Sequence, residues 1–475
     1  MLFNSLSFLI FFALFVPAYY ATHGRVRLVI ALVASNLFYA WWDWRFLGLL
    51  WFSTLFEYVV ALRLHAMLDG PRRRRLLVLS MTTNLGLLGF FKYFNFFAAT
   101  AHAALAAVGL PAPRVALDVV LPVGISFYTF QTMSYAIDVY RRQVEPERDL
   151  LRFATSVALF VHLVAGPIVR ARHLLPQLRD DRQPDIETVT RGFEQVLRGY
   201  FKKVVVADSL APIVDAYFVD PSLHDGASLL IAIYFYAFQI YCDFSGYTDI
   251  ALGCARLLGY DLGVNFDRPY FSRTFSEFWT RWHISLSSWL RDYLYIPLGG
   301  NRRGAIKTYR NLALTMLLGG LWHGAGWTFV VWGGLHGAYL VVERLVGRPI
   351  ARLAAVLRLP PPVRSFLAVV LVFQLTTFAW MFFRAPSFAT AWAVIAGIAT
   401  RTTLSLAQVQ SKFPIAKGVG LCVVLMAAEL LSFRPAFGER FRTSPALRYA
   451  SAAGIVWSLA LLGAFSGNNF IYFQF

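Results

Sequence analysis

Residues 275–304 read FSEFWTRWHISLSSWLRDYLYIPLGGNRRG, and residues 317–337 read LLGGLWHGAGWTFVVWGGLHG. The first segment contains His283 and the second contains His323, each directly preceded by a tryptophan. Imidazole has an unperturbed pKa of about 6.5, so it can take up or release a proton near neutrality. Ionisable side chains are costly in apolar, lipid-compatible sequence, and those that occur there are candidates for a functional site.

The composition of the whole chain predicts an integral membrane protein. Of the 475 residues, 58% are hydrophobic and only 15% are charged, whereas soluble chains typically have about 25% charged residues. The 44 Lys and Arg residues exceed the 26 acidic residues and give a net charge of +18. No RNA-binding pattern accompanies this charge, so we expect membrane lipid, and not nucleic acid, as its partner.

Apolar runs long enough to cross a bilayer recur along the chain, and some are short or contain Gly and Pro. We therefore expect an all-α polytopic fold with about 11–12 transmembrane helices, together with re-entrant and interfacial helices. A single membrane domain would comprise N-terminal helices (1–140), a polar and interfacial segment (141–206), a catalytic core (207–345) and C-terminal helices (346–475).

The distribution of arginine predicts the orientation of these helices. Arg25 and Arg27 lie in one loop, and Arg72 to Arg75 lie in another, with two predicted spans between the loops. Cytoplasmic loops carry an excess of Lys and Arg, so both loops should face the cytoplasm. The N-terminus is then expected on the outer side.

One apolar run contains two carboxylates, Asp243 and Asp249, close to Ser245 and Tyr247. Gly246 lies between them and would permit an irregular backbone. Irregular backbone is tolerated at membrane depth only where it is buried in protein or lines an aqueous cavity. The pattern therefore predicts that these polar side chains line a cavity.

The surroundings of His283 favour a wet pocket. If the segment is one helix, Ser287 and Arg291 lie roughly on the same face as His283. An imidazole, a hydroxyl and a guanidinium would then lie together, beside Trp282. The alternative is a hydrogen-bond cluster at the membrane interface.

Four glycines surround the pair Trp322-His323, at positions 319, 320, 324 and 326. Glycine allows a sharp turn and lets another group approach the backbone closely. Packing alone explains such a histidine poorly, so we expect His323 to be catalytic. His336 also has neighbouring glycines, and we expect it to be structural.

Several other classes of site lack support in the sequence. The chain has no P-loop, dinucleotide fingerprint, GxSxG elbow or HExxH pattern, which are the signatures of common NTPases, dehydrogenases, hydrolases and metalloproteases. Three scattered cysteines are too few for a disulfide framework or a cysteine metal site. We expect no metal and no tightly bound cofactor.

Several long motifs resemble the membrane-bound O-acyltransferase family. They are FYTFQTMSYAIDVYR (127–141), DFSGYTDIALG (243–253), FWTRWHISLSSWLRDYLYIPLGGNRRG (278–304), LTMLLGGLWHGAGWTFVVWGGLHG (314–337) and the terminal NFIYFQF. The chain is most similar to the branch of bacterial alginate O-acetyltransferases, with relatives that acetylate cellulose or peptidoglycan or D-alanylate teichoic acid. The resemblance extends over most of the chain and is weakest over 345–465.

This resemblance implies a ring of helices around a funnel or tunnel in the bacterial inner membrane. The essential histidine of the family falls on His323, and its second histidine falls on His283. A thioester donor, either acetyl-CoA or a carrier-bound acyl group, would enter from the cytoplasmic side. An exported polysaccharide, reached through a periplasmic acetyltransferase partner, would receive the acyl group outside.

The chemistry of acyl transfer agrees with these residues. A general base that takes the proton of the attacking hydroxyl contributes roughly 10²–10⁴-fold in rate, and His323 is suited to this role. The oxyanion needs hydrogen-bond donors, and His283, Arg281 and Asn311 remain alternatives for them. Tyr472, in the terminal segment, is a candidate acyl relay, and an aromatic membrane anchor is the alternative role for that segment.

A second hypothesis is a transporter or polymer-export channel in which the histidines and carboxylates relay protons. Such proteins often contain internal repeats, and this sequence shows none. The glycine-flanked His323 also favours the enzyme.

Overall fold

The computed structural model describes residues 1–111, 115–164, 166–401, 412–465 and 470–471. Within these ranges the regular secondary structure is entirely helical, with no strand. The predicted all-α fold is therefore confirmed. The chain divides into two compact units, one formed by residues 1–193 and 251–263 and the other by residues 194–250 and 264–475.

The first unit contains α1 (Leu6–Tyr20), α2 (Gly24–Asp43), α3 (Leu47–Ala66), α4 (Pro71–Leu88), α5 (Phe94–Ala107), α6 (Ile125–Tyr140), α7 (Leu150–Ala158), α8 (Phe160–Leu163) and α9 (Ala171–Leu174). Its core is built on α6, which is buried along almost its whole length. α10 (Ile186–Tyr200) begins in this unit and ends in the second one. It lies within the segment 141–206, which the sequence predicts to be polar and interfacial.

The second unit contains α11 (Asp208–Val219), α12 (Gly226–Leu257), α13 (Phe275–Arg281), α14 (Ile284–Leu290), α15 (Ala305–His323), α16 (Trp327–Val356), α17 (Pro361–Arg384), α18 (Phe388–Thr400), α19 (Lys412–Ser432), α20 (Pro435–Thr443) and α21 (Pro445–Leu462), with the end of α12 in the first unit. The centre of this unit is aromatic, since Trp282, Trp332 and Trp380 are almost completely buried. Large rings of this kind dominate the energetics of a core.

Seven helical stretches in the described part of the chain are long and apolar enough to cross a membrane. They are Gly24–Ala66, Pro71–Ala107, Gly226–Leu257, Trp327–Gly347, Pro361–Arg384, Lys412–Ser432 and Pro445–Leu462. The first two stretches each contain two successive helices, α2 with α3 and α4 with α5. A multi-pass membrane protein is thereby confirmed, whereas the 11–12 crossings, their orientation, the four domain boundaries and the ring around a tunnel stay predictions.

The irregular backbone expected at Gly246 is wrong, because α12 runs through this position without a break. A Cβ added to Gly246 would lie 2.8 Å from the carbonyl oxygen of Gly199 and 2.8 Å from the amide nitrogen of Lys203. The glycine is therefore needed for the close approach of two backbones, which is the other property that glycine offers.

Candidate active site

His283 lies at a break between two helices. The continuous helix expected through this residue is wrong, because α13 ends at Arg281 and α14 begins at Ile284. His283 itself has φ 42° and ψ 54°, a left-handed conformation that costs a residue with a side chain of this kind about 1–3 kcal/mol. Such strain persists only where the surroundings fix it, and it is concentrated at functional sites.

Asn265 fixes this break from outside the helices. Its backbone carbonyl accepts a hydrogen bond from the amide of Ile284 at 2.9 Å. Its side-chain Oδ1 accepts hydrogen bonds from the amide of Ser285 at 3.1 Å and from the Ser285 hydroxyl at 2.9 Å. One asparagine thus holds the first turn of α14 in place.

The same oxygen determines the tautomer of His283. Nδ1 of His283 lies 3.3 Å from Oδ1 of Asn265, and an amide oxygen can only accept a hydrogen bond, so Nδ1 carries the proton. Nε2 is then the basic nitrogen of the ring. Burial lowers the pKa of His283 to about 3, because a charged imidazolium loses its hydration there. His283 is consequently neutral near pH 7.

His323 is held differently, as the last residue of the continuous helix α15. The C-terminal end of a helix carries a partial negative charge that stabilises a nearby imidazolium. A Cβ on Gly320 would lie 2.3 Å from the carbonyl oxygen of Phe329, and one on Gly324 would lie 2.2 Å from the Phe329 ring. The predicted close approach at these glycines is present, and it lets α16 pack directly against the end of α15.

The fold brings the two histidines together. Their ring centroids lie 6.3 Å apart, although His283 lies between α13 and α14, His323 ends α15, and 40 positions separate them. The ring of Trp322 lies 5.9 Å from His283 and 4.9 Å from His323. Trp332 and Phe383 complete the wall around His323, at 5.0 and 5.3 Å. We call these five residues the histidine cluster.

A group of buried polar atoms in and beside the histidine cluster has no hydrogen-bond partner among the described residues. The group comprises Nε1 of Trp279, Trp282 and Trp332 and both ring nitrogens of His336. An unsatisfied buried polar atom costs about 1–3 kcal/mol, and such atoms call for an explanation such as water or a polar ligand.

Comparison with known proteins identifies the family of this chain. Residues 146–364 match the model of the MBOAT, membrane-bound O-acyltransferase family. The chain is 44% identical over 404 residues to a probable alginate O-acetylase, AlgI, of Azotobacter vinelandii, with 84% of this chain and 78% of that protein covered. It is 43% identical over 396 residues to the corresponding protein of Pseudomonas aeruginosa, with 82% and 74% covered.

A third relative has a different acceptor in its name. The chain is 34% identical over 428 residues to a peptidoglycan O-acetyltransferase of Helicobacter pylori, with 85% of this chain and 79% of the relative covered. The chain belongs to the membrane-bound O-acyltransferase family. It is therefore an O-acyltransferase, and the resemblance seen in the sequence motifs is confirmed.

Two of the predicted oxyanion donors of this O-acyltransferase are engaged elsewhere, which argues against that role. Asn311 donates hydrogen bonds from Nδ2 to the carbonyls of Leu298 and Gly300. It also precedes His323 by twelve residues on α15, which corresponds to about 18 Å along the helix. Arg281 is paired with Glu277 at 2.9 Å.

The alignment expected around His283 also fails, because the helix is broken there. The hydroxyl of Ser287 donates a hydrogen bond to the carbonyl of Trp282 at 3.0 Å. Arg291 pairs with Asp292 at 2.8 Å, and 63% of its side chain is exposed. Ser287 therefore supports the break at His283, whereas Arg291 does not join the histidine cluster.

The two membrane-depth carboxylates both have partners. Asp249 accepts hydrogen bonds from Lys202 at 2.8 Å and from Gln195 at 2.9 Å. Asp243 lies 2.6 Å from the buried ammonium of Lys203, which also contacts Asp208 at 2.7 Å. A buried charge requires such pairing. These carboxylates are thus engaged in ion pairs inside the protein, and Ser245 is buried close to them.

Asp243 also holds the terminal segment of the chain. Its Oδ2 accepts a hydrogen bond from the amide of Ile471 at 2.8 Å, and the ring of Phe470 stacks on Tyr247 with centroids 4.3 Å apart. Phe244 lies between this segment and the histidine cluster, at 5.8 Å from Phe470 and 4.7 Å from His283. Tyr472 lies outside the described residues.

The sequence did not single out Trp332, and the structural role that it predicted for His336 stays a prediction. Both residues lie in the apolar run of α16. An aromatic residue in such a run cannot be distinguished from an ordinary core residue by sequence alone. The ring of His336 lies 4.9 Å from Trp332 and 5.1 Å from Trp279. In the described part of the chain, no group of three or more His, Cys, Asp or Glu side chains is placed to hold a metal ion.

Proposed function

We propose that this O-acyltransferase moves an acetyl group from a thioester donor on the cytoplasmic side of the bacterial inner membrane toward hydroxyls of an exported polysaccharide such as alginate. The donor would be acetyl-CoA or a carrier-bound acyl group. The observation that carries the proposal is the 6.3 Å approach of two buried histidines beside a set of buried donors. The names of the relatives support a polysaccharide acceptor.

In this mechanism His323 is the general base. It takes the proton of the acceptor hydroxyl while the hydroxyl oxygen attacks the thioester carbonyl carbon. When the intermediate collapses, the carbon–sulfur bond breaks, and His323 returns the proton to the leaving thiolate. The imidazolium that exists between these steps lies at the C-terminal end of α15, where the helix dipole stabilises it.

His283 has a different role, which follows from its tautomer. Its Nδ1–H is directed at Asn265, so a neutral His283 presents Nε2 as a hydrogen-bond acceptor and not as a donor. It therefore cannot stabilise the oxyanion while it is neutral. We assign it the orientation of the acceptor, because Nε2 can accept a hydrogen bond from a hydroxyl next to the one that His323 deprotonates.

The oxyanion requires a donor that is already in place and excluded from water. Nε1 of Trp332 meets this requirement, because it is buried without an acceptor among the described residues and its ring lies 5.0 Å from that of His323. We assign Trp332 this role in place of Arg281 and Asn311.

Substitution of His323 by Ala tests the proposal. We expect transfer of labelled acetyl groups into polymer to fall by roughly 10²–10⁴-fold, since the general base is lost. His65→Ala is the matched control, because His65 lies exposed in the last turn of α3 and should not alter transfer. Retention of more than about a tenth of the activity in His323→Ala, with normal amounts of protein in the membrane, would exclude the general-base role.

In the relay form of this proposal, the acceptor hydroxyl of the step at His323 is the phenol of Tyr472, and the polymer is acetylated in a second step. Ile471, which precedes Tyr472 in the sequence, is held by Asp243. The phenol of Tyr472 would attack the thioester to form an aryl ester, which a polymer hydroxyl would then cleave on a periplasmic acetyltransferase partner, restoring the phenol. A tethered nucleophile has a high effective concentration at the site.

Tyr472→Phe separates the relay from a membrane anchor, because it removes only the hydroxyl. We expect acetylation of the exported polymer to be lost while the amount of protein in the membrane is unchanged. Tyr449→Phe provides a control, since Tyr449 is 73% exposed on α21. Normal acetylation by Tyr472→Phe would leave the segment as an anchor without affecting the role of His323.

A further inference from the structure

The first unit contains a polar cleft of about 720 Å³, a size typical of ligand sites. Three arginines line it, Arg182, Arg191 and Arg256. Arg182 lies 3.8 Å from Asp180, and Arg191 is paired with Glu187 at 2.7 Å. Arg256, which is half-buried, has no hydrogen bond or ion pair among the described residues. A charge in this position favours an anionic partner.

Three carboxylates line the cleft, those of Asp180, Asp185 and Asp261, and none of them forms an ion pair with Arg256 among the described residues. Asp185 accepts a hydrogen bond from the amide of Thr188 at 2.8 Å, at the beginning of α10. Asp261 accepts one from the amide of Gly263 at 2.9 Å. Both carboxylates thus serve local turns of the backbone, and the cation of Arg256 remains available to a ligand.

An apolar groove of about 590 Å³ continues from this cleft. Gln183 and Pro184 line both cavities. The walls of the groove come from α1, α10 and the end of α12, and they include Phe12, Val16, Phe193 and Leu257. On α12 the neighbouring residues Arg256 and Leu257 line the polar and the apolar part respectively. Together the two cavities form a site with one cationic end and one apolar end.

The cationic end lies beside the loop between α1 and α2. The amide of Gly24 donates hydrogen bonds to the Asp181 carboxylate at 2.8 and 2.9 Å, and Arg27 donates one to the carbonyl of Arg182 at 3.2 Å. By the positive-inside rule, we expect the beginning of α2, which contains Arg25 and Arg27, to face the cytoplasm. The surface of that leaflet carries anionic lipids that attract Lys and Arg near the membrane.

We propose that this composite cavity binds one anionic phospholipid. Arg256, with Arg182 and Arg191, holds the phosphate of the headgroup, and an acyl chain occupies the groove between α1 and α10. The continuous apolar groove selects a lipid over a soluble phosphate compound, because only a lipid gains from burying a chain there. The bound lipid would fix the first half of α10 against α1.

Thermal unfolding of the purified full-length protein in detergent tests this site. Phosphatidylglycerol, phosphatidylcholine and soluble glycerol 3-phosphate are added separately, and the melting temperature is recorded against concentration. We expect phosphatidylglycerol to raise it in a saturable manner, while the other two compounds have little effect. An equal effect of phosphatidylcholine would overturn headgroup recognition, and an equal effect of glycerol 3-phosphate would overturn the lipid assignment.

Two variants locate the binding within the cavity. Arg256→Gln should weaken the phosphatidylglycerol response about tenfold, as expected for the loss of one charged hydrogen-bond donor. Ala13→Trp, at an exposed position that lines the groove, should block the chain and weaken the response as well. Arg75→Gln, an exposed arginine on α4 outside the cavity, is the control. If both cavity variants respond like Arg75→Gln, the proposed site is wrong.

Discussion

His283 and His323 lie in one cluster, yet the chain holds them in opposite ways. His323 ends a regular helix and has glycines as its neighbours. His283 lies at a strained break, with its Nδ1 directed at Asn265 and its pKa lowered to about 3 by burial. We therefore expect His323, and not His283, to carry the proton during catalysis.

The largest expected effect concerns both histidines together. We expect the double variant His283→Ala/His323→Ala to be no slower than His323→Ala alone, because groups that act as a unit contribute non-additively. Single-turnover transfer of labelled acetyl groups by all three variants measures this. A double variant with a loss equal to the product of the two single losses would show that the histidines act independently.

The next effect concerns Trp332, whose ring contacts that of His323. We assign no residue a corresponding role at His283. Trp332→Phe retains an aromatic ring and removes the indole N–H. We expect a loss of about 10²–10³-fold in the rate of transfer, as for removal of one oxyanion donor. Trp392→Phe is the control, because Trp392 is 69% exposed on α18. A loss below about tenfold in Trp332→Phe, against an unchanged control, would remove Trp332 from this role.

The smallest expected effect concerns the protonation of His283. Asn265→Asp replaces a neutral acceptor beside Nδ1 of His283 with a carboxylate, which stabilises the imidazolium and raises the pKa of His283. Protonation of His283 removes the nitrogen that accepts a hydrogen bond. As the pH is lowered, the activity of Asn265→Asp should therefore begin to fall at a higher pH than that of the wild type. The pH profile of acetyl transfer measures this shift. Superimposable profiles of wild type and Asn265→Asp would show that protonation of His283 does not limit transfer.

The sequence predicted those features that depend on long patterns. Hydropathy over whole helices indicated an all-α membrane protein, and the glycines around His323 indicated the close packing that the structure shows. The break at His283 could not be predicted in this way, because neither glycine nor proline lies there and the tertiary contact with Asn265 overrides local helix propensity.

Polar and charged side chains predicted the site less well than the glycines around His323 predicted the packing of the backbone. Arg281 and Asn311 were predicted as oxyanion donors from their chemistry, but each satisfies a nearby group of its own segment. Trp332 was missed for the opposite reason, since a tryptophan in an apolar run resembles ordinary core. What distinguishes it is an N–H without an acceptor among the described residues, a property that only three-dimensional packing creates.

The left-handed backbone conformation at His283 also limits which residues a mutant library can tolerate at this position. Glycine adopts this conformation readily, and asparagine, aspartate and histidine are enriched in it, whereas valine, isoleucine and threonine are disfavoured there because of their branched side chains. A saturation library at position 283, scored by the amount of folded protein alone, should therefore retain glycine, asparagine and aspartate besides histidine. Most of the side chains that preserve the backbone thus lack the imidazole, and the folding and catalytic requirements at this position can be read separately.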